Sequence, residues 1–237
     1  MIVLMTDFGV SDPYVGQVHM RLRTIAPEVP VIDLFHALPS FAVQAAAYLL
    51  PAYCRHVPAG AVIMAIVDPG VGTSRQALAF TAGGRRFIGP DNGLFEMIAR
   101  RDTVASCVAL PVPADASPTF HGRDVFAPAA AAWARGTRPT GRDVALTRYP
   151  QWPDDGCFIA YIDHYGNAVT GLRAAPEHRA IRIRGHLLKR ARTFGERPAG
   201  EAFFYENANG LIEIAANGAS AADRLGLELA DPFVLEA

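Results

Sequence analysis

Four carboxylates stand where short apolar runs stop. Asp7 follows IVLMT, Asp68 follows AVIMAIV, Asp91 follows RRFIGP and Asp163 follows CFIAYI. In open α/β sheets ligands gather at the carboxyl ends of strands, and acids there bind ribose hydroxyls or ammonium groups. Each acid also has a local explanation, because Asp before Gly or Pro starts turns and caps helices. Four together, without a comparable cluster of bases, favour a site over four separate turns. Asp68 opens DPGVGTSR, where Pro69, Gly70 and Gly72 shape a turn and Arg75 closes the stretch. A second charged knot is TFHGRDVF, residues 119–126. His121 precedes Gly122, which lets the backbone turn sharply or approach a ligand, and its imidazole titrates near neutral pH. Asp124 is placed to cap the following helix, and Arg123 reads as a solvated neighbour. His36 and His164 are weaker candidates, expected at structural or rim positions.

Several motif matches fail in context. Asp7-Phe8-Gly9 spells a kinase triplet but lacks the glycine-rich loop and HRD partner. Gly70-Val71-Gly72 begins a dinucleotide fingerprint, yet the third glycine is missing and a strand is expected next, so no helix N-terminus would cradle a pyrophosphate. HExxH, P-loop and GxSxG patterns do not occur. The formal net charge of −1 argues against a protein that grips phosphate backbones, so no nucleic-acid partner is expected. No run approaches the roughly 20 apolar residues of a membrane span. MIVLMTDFG has no positive leader region and reaches an acid at Asp7, so a signal peptide is not expected. Cys54, Cys107 and Cys157 are far apart with no CxxC, as suits reduced, structural thiols in a cytoplasmic protein.

The elements that must position these groups alternate in type. Strands are expected at residues 2–5, 29–34 and 61–67, with helices over 12–26 and 41–53 between them. In the first helix Pro13 suits the opening turn, and Val15, Val18, Leu22 and Ile25 share a face. ALAFTA and RRFIG flank Gly83-Gly84 as a hairpin. PDNGLFEMIARR reads as a helix entered through a turn, residues 103–110 as a strand, and VFAPAAAAWARG as a helix stopped by Gly136. This alternation implies a mainly parallel α/β sheet. After Pro150 the runs become short strands, such as AIRIRG and GLIEIAA, with little helix, as in a small β-barrel or sandwich. We therefore expect an α/β domain over residues 1–145 and a smaller β-barrel domain over 155–237, with a linker near 140–156.

Taken together, TDFGVSDPYVG (6–16), VDPGVGTSR (67–75), GPDNG (89–93), TFHGRDVFAPAAA (119–131), YIDHYGNAVT (161–170) and NGLIEIAANGASAA (209–222) resemble the S-adenosylmethionine (SAM) hydroxide adenosyltransferases, relatives of the SAM-dependent fluorinase and chlorinase. The resemblance runs along nearly the whole chain in order. It implies an N-terminal α/β domain, a C-terminal β-barrel and a homotrimer with SAM bound between neighbouring subunits. It implies the conversion of SAM and water to adenosine and L-methionine, without a metal or other cofactor. It places the family's catalytic set on Asp68, Arg75 and His121, the histidine favouring water over halide. Asp7 falls on the ribose-binding acid, and Asp163 and Asn167 on contacts to the methionine part and the adenine. Phe8, Asn209 and Glu213 complete the implied substrate-binding set. Two stretches depart from the family pattern: QVHMRL follows YVG, and Asn207-Ala208-Asn209-Gly210 lacks a hydroxyl at position 208.

The implied chemistry suits the residue types. The leaving thioether departs neutral, so neither a general acid nor a metal is required. The difficulty lies with water, whose pKa is about 15.7. Asp68 would orient the water, Arg75 would stabilise developing hydroxide, and His121 would share or relay the proton. Halide transfer from the same scaffold, a non-catalytic SAM- or adenosine-binding trimer, and a generic nucleotide-binding α/β protein are the rival readings.

Overall fold

The computed structural model describes residues 1–236 and divides into two compact units, Met1–Leu50 with His56–Tyr149, and Pro51–Arg55 with Pro150–Ala237. Within residues 1–149 the elements run β1 (Ile2–Thr6), α1 (Tyr14–Ile25), β2 (Val31–Phe35), α2 (Val43–Tyr53), β3 (Val62–Ile66), β4 (Ala77–Ala82), β5 (Arg85–Pro90), α3 (Glu96–Arg101), β6 (Val104–Ala109), α4 (Ala127–Ala134) and β7 (Arg142–Asp143). The strands form one seven-stranded sheet in the order β2-β1-β3-β5-β4-β6-β7. Its first four strands are parallel; β4, β6 and β7 add antiparallel neighbours.

The sequence dictates this arrangement through burial. IVLMT and VIMAI are apolar on both faces and every residue is buried, as central parallel strands require. One face of the sheet packs Leu4, Met64 and Ile66 against Val18 and Leu22 of α1 and Phe126, Ala130 and Trp133 from the α4 segment. Phe80, Phe87 and Phe95 form a separate aromatic group, with centroids 4.9–6.1 Å apart. Gly83 and Gly84 both take positive φ, as the hairpin between β4 and β5 demands. The consequence for function is register. Thr6 of β1 pairs with Ile66 of β3, and Asp7 N extends that ladder to Ile66 O at 3.1 Å. Two of the strand-end acids, Asp7 and Asp68, therefore leave adjacent parallel strands at the same edge.

Beyond residue 141 the chain is more tightly held than a linker would be. Asp91 accepts from Thr147 N (3.0 Å) and Thr147 Oγ1 (2.8 Å), and Glu96 accepts from Tyr149 N and Arg148.

The second unit contains β8 (Gly156–Ile162), β9 (Ala168–Arg173), β10 (Ala180–Ile183), β11 (His186–Lys189), β12 (Ala202–Glu206), β13 (Leu211–Ala216), α5 (Ala221–Leu225) and β14 (Val234–Glu236). All pairings are antiparallel, in sheets ordered β11-β10-β14 and β12-β13-β9-β8. Single bridges, Phe158 with Pro232 and Arg190 with Phe204, join the edges of the two sheets. The all-β character is as expected; the pairing is that of two sheets, and the expected barrel is a narrower description than these single bridges support. Ile159, Ile181, Phe204, Ile212 and Ile214 fill its core. No helix among the described residues is long and apolar enough to cross a membrane.

Candidate active site

The loop after β3 folds Arg75 back onto Asp68. Val71 N donates to Asp68 O (3.2 Å), Thr73 N and Oγ1 donate to Gly70 O (3.2 and 2.7 Å), and Arg75 N donates to Thr73 Oγ1 (3.4 Å). Gly72 adopts φ +76°, and a Cβ there would lie 2.3 Å from Pro118 O. Only glycine meets both demands, and the loop thereby seats against the segment leading to His121. The result is a fork: Arg75 Nε donates to Asp68 Oδ1 at 2.9 Å, and Nη2 donates to Asp68 Oδ2. Both side chains are almost fully buried, at 8% and 6% exposure. The guanidinium also lies 5.3 Å from the centroid of Phe126.

His121 meets this pair at the start of a π-helical turn, Gly122–Phe126, that runs into α4. Its Nδ1 is 3.0 Å from Arg75 Nη2. Because a guanidinium only donates, Nδ1 accepts and the ring proton sits on Nε2. Burial first, and the Arg75 charge second, push the imidazole pKa below the ordinary histidine range, so the ring is neutral at neutral pH. Gly122 lets the turn come close: a Cβ there would lie 3.0 Å from Phe8 Cζ and 3.3 Å from Ile66 Cδ1. Arg75 Nη1 is buried and has no hydrogen-bond partner among the described residues. A buried unpaired donor is costly, and here it belongs to the residue that binds both Asp68 and His121.

Asp68 and His121 line a cleft of about 350 Å³ together with Asp7, Phe8, Tyr14 and Phe41, with Arg75 behind them. Phe8, Tyr14 and Phe120 pack with centroids 5.5–6.0 Å apart, giving it an aromatic wall. Burial raises the Asp7 carboxyl pKa, and the nearby Asp68 charge adds to that, against a bond from Phe41 N at 3.3 Å. Phe41 holds φ +63°, an unusual conformation for an aromatic residue.

Other charged residues have structural work. Asp91 secures Thr147, and its neighbour Asn92 donates to Val67 O at 2.8 Å, bracing the residue before Asp68. Asp124 makes no helix cap; it forms a fork with Arg123 and accepts from Ser117 N at 2.9 Å. Arg123 is more than a solvated neighbour, since it also donates to Gln17 Oε1 at 2.9 Å and stacks over Phe120. Gln17 belongs to the stretch that departs from the family pattern, and this bond gives it a partner. His36 is buried, as a structural residue would be, and His164 is exposed.

The second unit holds its own polar cluster. Asp163 Oδ1 accepts from Tyr165 N (2.9 Å) and Asn167 N (2.8 Å), and Oδ2 accepts from Asn167 Nδ2 (3.0 Å). Gly166 at φ +81° closes this turn where a Cβ would meet Ser220 Oγ at 2.1 Å. Glu213 is buried between Tyr205 OH and Asn207 Nδ2, and burial raises its carboxyl pKa. Asn207 Oδ1 accepts from Asn209 N and Leu211 N, so the turn closes without a hydroxyl at position 208. Tyr165, Asn167, Phe194, Gly218 and Ser220 line a cavity of about 490 Å³ in this unit. Sequence reasoning missed Tyr205 and the supporting role of Asn207; only the proximity of Asn207 to Gly210 hinted at a turn. Among the described residues no three His, Cys, Asp or Glu side chains are grouped to hold a metal ion.

Comparison with known proteins is consistent along the whole chain. Residues 2–143 match the SAM hydroxide adenosyltransferase N-terminal domain, and residues 157–234 match the C-terminal domain. A Thermus thermophilus protein named (R)-S-adenosyl-L-methionine hydrolase is 39% identical, over 99% of this chain and 98% of its own length. A fluorinase of Nocardia brasiliensis is more distant, 25% identical over 94% of this chain and 92% of its own. An uncharacterized conserved protein of Thermotoga maritima, known from its crystal structure, superposes with a TM-score of 0.87 at 28% identity, covering 98% of both chains. With both domains matched, this chain belongs to the SAM hydroxide adenosyltransferase family.

Proposed function

We propose that the protein hydrolyses S-adenosyl-L-methionine to adenosine and L-methionine by attack of water on C5′. The observation that carries this is the buried Asp68–Arg75–His121 cluster, whose Asp68 and His121 line an aromatic cleft. In this reading a water donates to a lone pair of Asp68 left free by the Arg75 fork. The neutral His121 offers Nε2–H as a donor, which makes it an orienting group, and Asp68 takes the proton. Arg75 fixes Asp68 and His121 in place and sets its positive charge behind them, on the side of the developing hydroxide. As the oxygen bonds to C5′, the C5′–S bond breaks and its electron pair stays on sulfur, which leaves as a neutral thioether. Positioned proton transfer contributes about 10²–10⁴-fold in rate, and fixed charges in a dry site supply much of the remainder.

Asp7 is assigned to the ribose hydroxyls and Phe8 to the nucleoside wall of the cleft. Residues 1–145 carry the chemistry in this reading, and residues 155–237 supply Asp163, Asn167, Asn209 and Glu213 for the adenine and methionine parts. A homotrimer whose neighbouring subunits complete each site, a cytoplasmic location and independence of any cofactor belong to the same reading. Three cysteines far apart in sequence, with no CxxC, suit a reducing compartment. The (R)-sulfonium epimer is the proposed substrate, as in the name of the Thermus relative.

Pure protein incubated with each SAM epimer, followed by chromatography, tests the proposal. Adenosine and methionine should form in equal amounts, faster from the (R) epimer. A 5′-halo-adenosine formed only with added halide would instead favour the fluorinase-like reading, and adenosine binding without any product would favour a sensor. Light scattering reads the subunit number.

A further inference from the structure

The turn that carries Asp7 and Phe8 is held from behind by a buried chain of hydrogen bonds that the proposed chemistry does not use. β1 ends at Thr6, and the next three N–H groups each find a different acceptor: Asp7 N donates to Ile66 O (3.1 Å), Phe8 N to Thr6 Oγ1 (3.2 Å) and Gly9 N to His36 O (2.8 Å). Thr6 Oγ1 lies 2.8 Å from His36 Nδ1, His36 Nε2 lies 3.0 Å from Asp33 Oδ1, and His19 Nε2 lies 2.7 Å from the same oxygen. Thr6 is 1% and His36 6% exposed. Two of the three N–H groups thus depend on His36, one through its carbonyl and one through the hydroxyl it orients.

The polarity of the chain is fixed from its far end. Burial works to raise the Asp33 carboxyl pKa, but the bonds from His36 and His19 outweigh it and lower the value, so Asp33 only accepts. His36 Nε2 therefore donates, and with its ring proton engaged there Nδ1 is the atom that accepts the Thr6 hydroxyl. That points the hydroxyl hydrogen away from Phe8 N and leaves the oxygen lone pairs to receive it. Among the described residues, the Asp7 carboxylate accepts one hydrogen bond from outside its own residue, the long one from Phe41 N, so its aim depends on the backbone beneath it.

We propose that Thr6 and His36 are positioning residues that set the Asp7–Phe8 turn so that Asp7 meets the ribose hydroxyls of the bound nucleoside, an inference that rests on the hydrolase reading above. Its mark is a penalty that exists only when the ribose hydroxyls exist. The test is calorimetric titration of wild type, Thr6→Val, Thr6→Ser, His36→Leu and His36→Asn with adenosine and with 2′,3′-dideoxyadenosine. Thr6→Val and His36→Leu should weaken adenosine binding about tenfold, the loss of one well-placed hydrogen bond. Thr6→Ser, which keeps the hydroxyl, and His36→Asn, which keeps an acceptor near Nδ1, should stay within about threefold of wild type. The dideoxy nucleoside should bind all five alike. With SAM, KM should rise in Thr6→Val while kcat holds. Should Thr6→Val or His36→Leu not fold, Asp33→Ala at the exposed end of the chain carries the test, with an adenosine-only loss of about threefold. Equal losses on both nucleosides, or none on adenosine, would overturn the inference. Wild type that binds adenosine but releases none from SAM would sink the hydrolase reading alone; wild type that binds neither nucleoside would sink both.

Discussion

The N-terminal unit buries two carboxylates held by arginine, Glu96 and Asp68, that differ in how fully they are bonded. Glu96, 2% exposed, is saturated: Arg100 Nε, Arg148 Nε and Nη2, and Tyr149 N all donate to it. Asp68 is gripped by a single arginine, whose Nη1 has no partner among the described residues and whose Nη2 also reaches a neutral histidine. A satisfied buried network holds segments together, and here it ties residues 148–149 to α3. An unsatisfied one beside a cleft keeps bonding capacity in reserve for something that arrives. Glu213 of the second unit differs from both, being a buried carboxylate with no arginine beside it among the described residues. It faces only neutral donors, Tyr205 and Asn207, and its pKa moves up where that of Glu96 moves down.

That contrast can be broken by experiment. Asp68→Ala or Arg75→Ala should lower kcat by about 10³-fold or more with the fold retained, measured as adenosine release beside a thermal melt. Near-normal turnover would remove the distinction. Glu96→Ala should do the reverse: it removes the buried acceptor that anchors Arg100, Arg148 and Tyr149 N and costs about 1–3 kcal/mol in urea unfolding, while turnover of the folded fraction is unchanged. The two glutamates should also respond oppositely to pH. Burial alone would raise the Glu96 pKa, but bonds from Arg148 and Arg100 bring it below its ordinary value. Its stabilisation is present above about pH 4.5 and is lost as pH falls through the lower folded value. Glu213, raised by burial, favours the folded state below about pH 4.5 and loses that contribution as pH rises through its folded value. Glu96→Gln should therefore flatten the acid side of the stability profile, and Glu213→Gln should raise stability at neutral pH. Thr147→Val, which removes one exposed bond to Asp91, should cost under about 1 kcal/mol and leave activity intact.

The candidate site was more legible in the sequence than its supports. Asp68, Arg75 and His121 lie in glycine-marked turns whose conformations are local, so short strings disclosed them, and the structure brings the three together. The strand ends carrying Asp7 and Asp68 followed from apolar runs typical of buried parallel strands. Thr6–His36, Gln17–Arg123 and Glu96–Arg148 were not legible, because each joins residues 30 to 106 positions apart through side chains with no characteristic spacing. Asp124 misled for a local reason: Asp before a helix is a common cap, but its neighbour Arg123 and Ser117 N claim the carboxylate instead. The π-helical turn at Gly122–Phe126 had no periodicity to announce it.

The central claim is that the Asp68–Arg75–His121 cluster drives water onto C5′ of SAM. It is tested most directly by turnover in heavy-oxygen water, with mass spectrometry of both products and Arg75→Ala as the control. The account predicts one heavy oxygen in adenosine, at the 5′ hydroxyl, none in methionine, and no labelled adenosine above background from the variant. Unlabelled adenosine, or label carried by the amino-acid product, would contradict it.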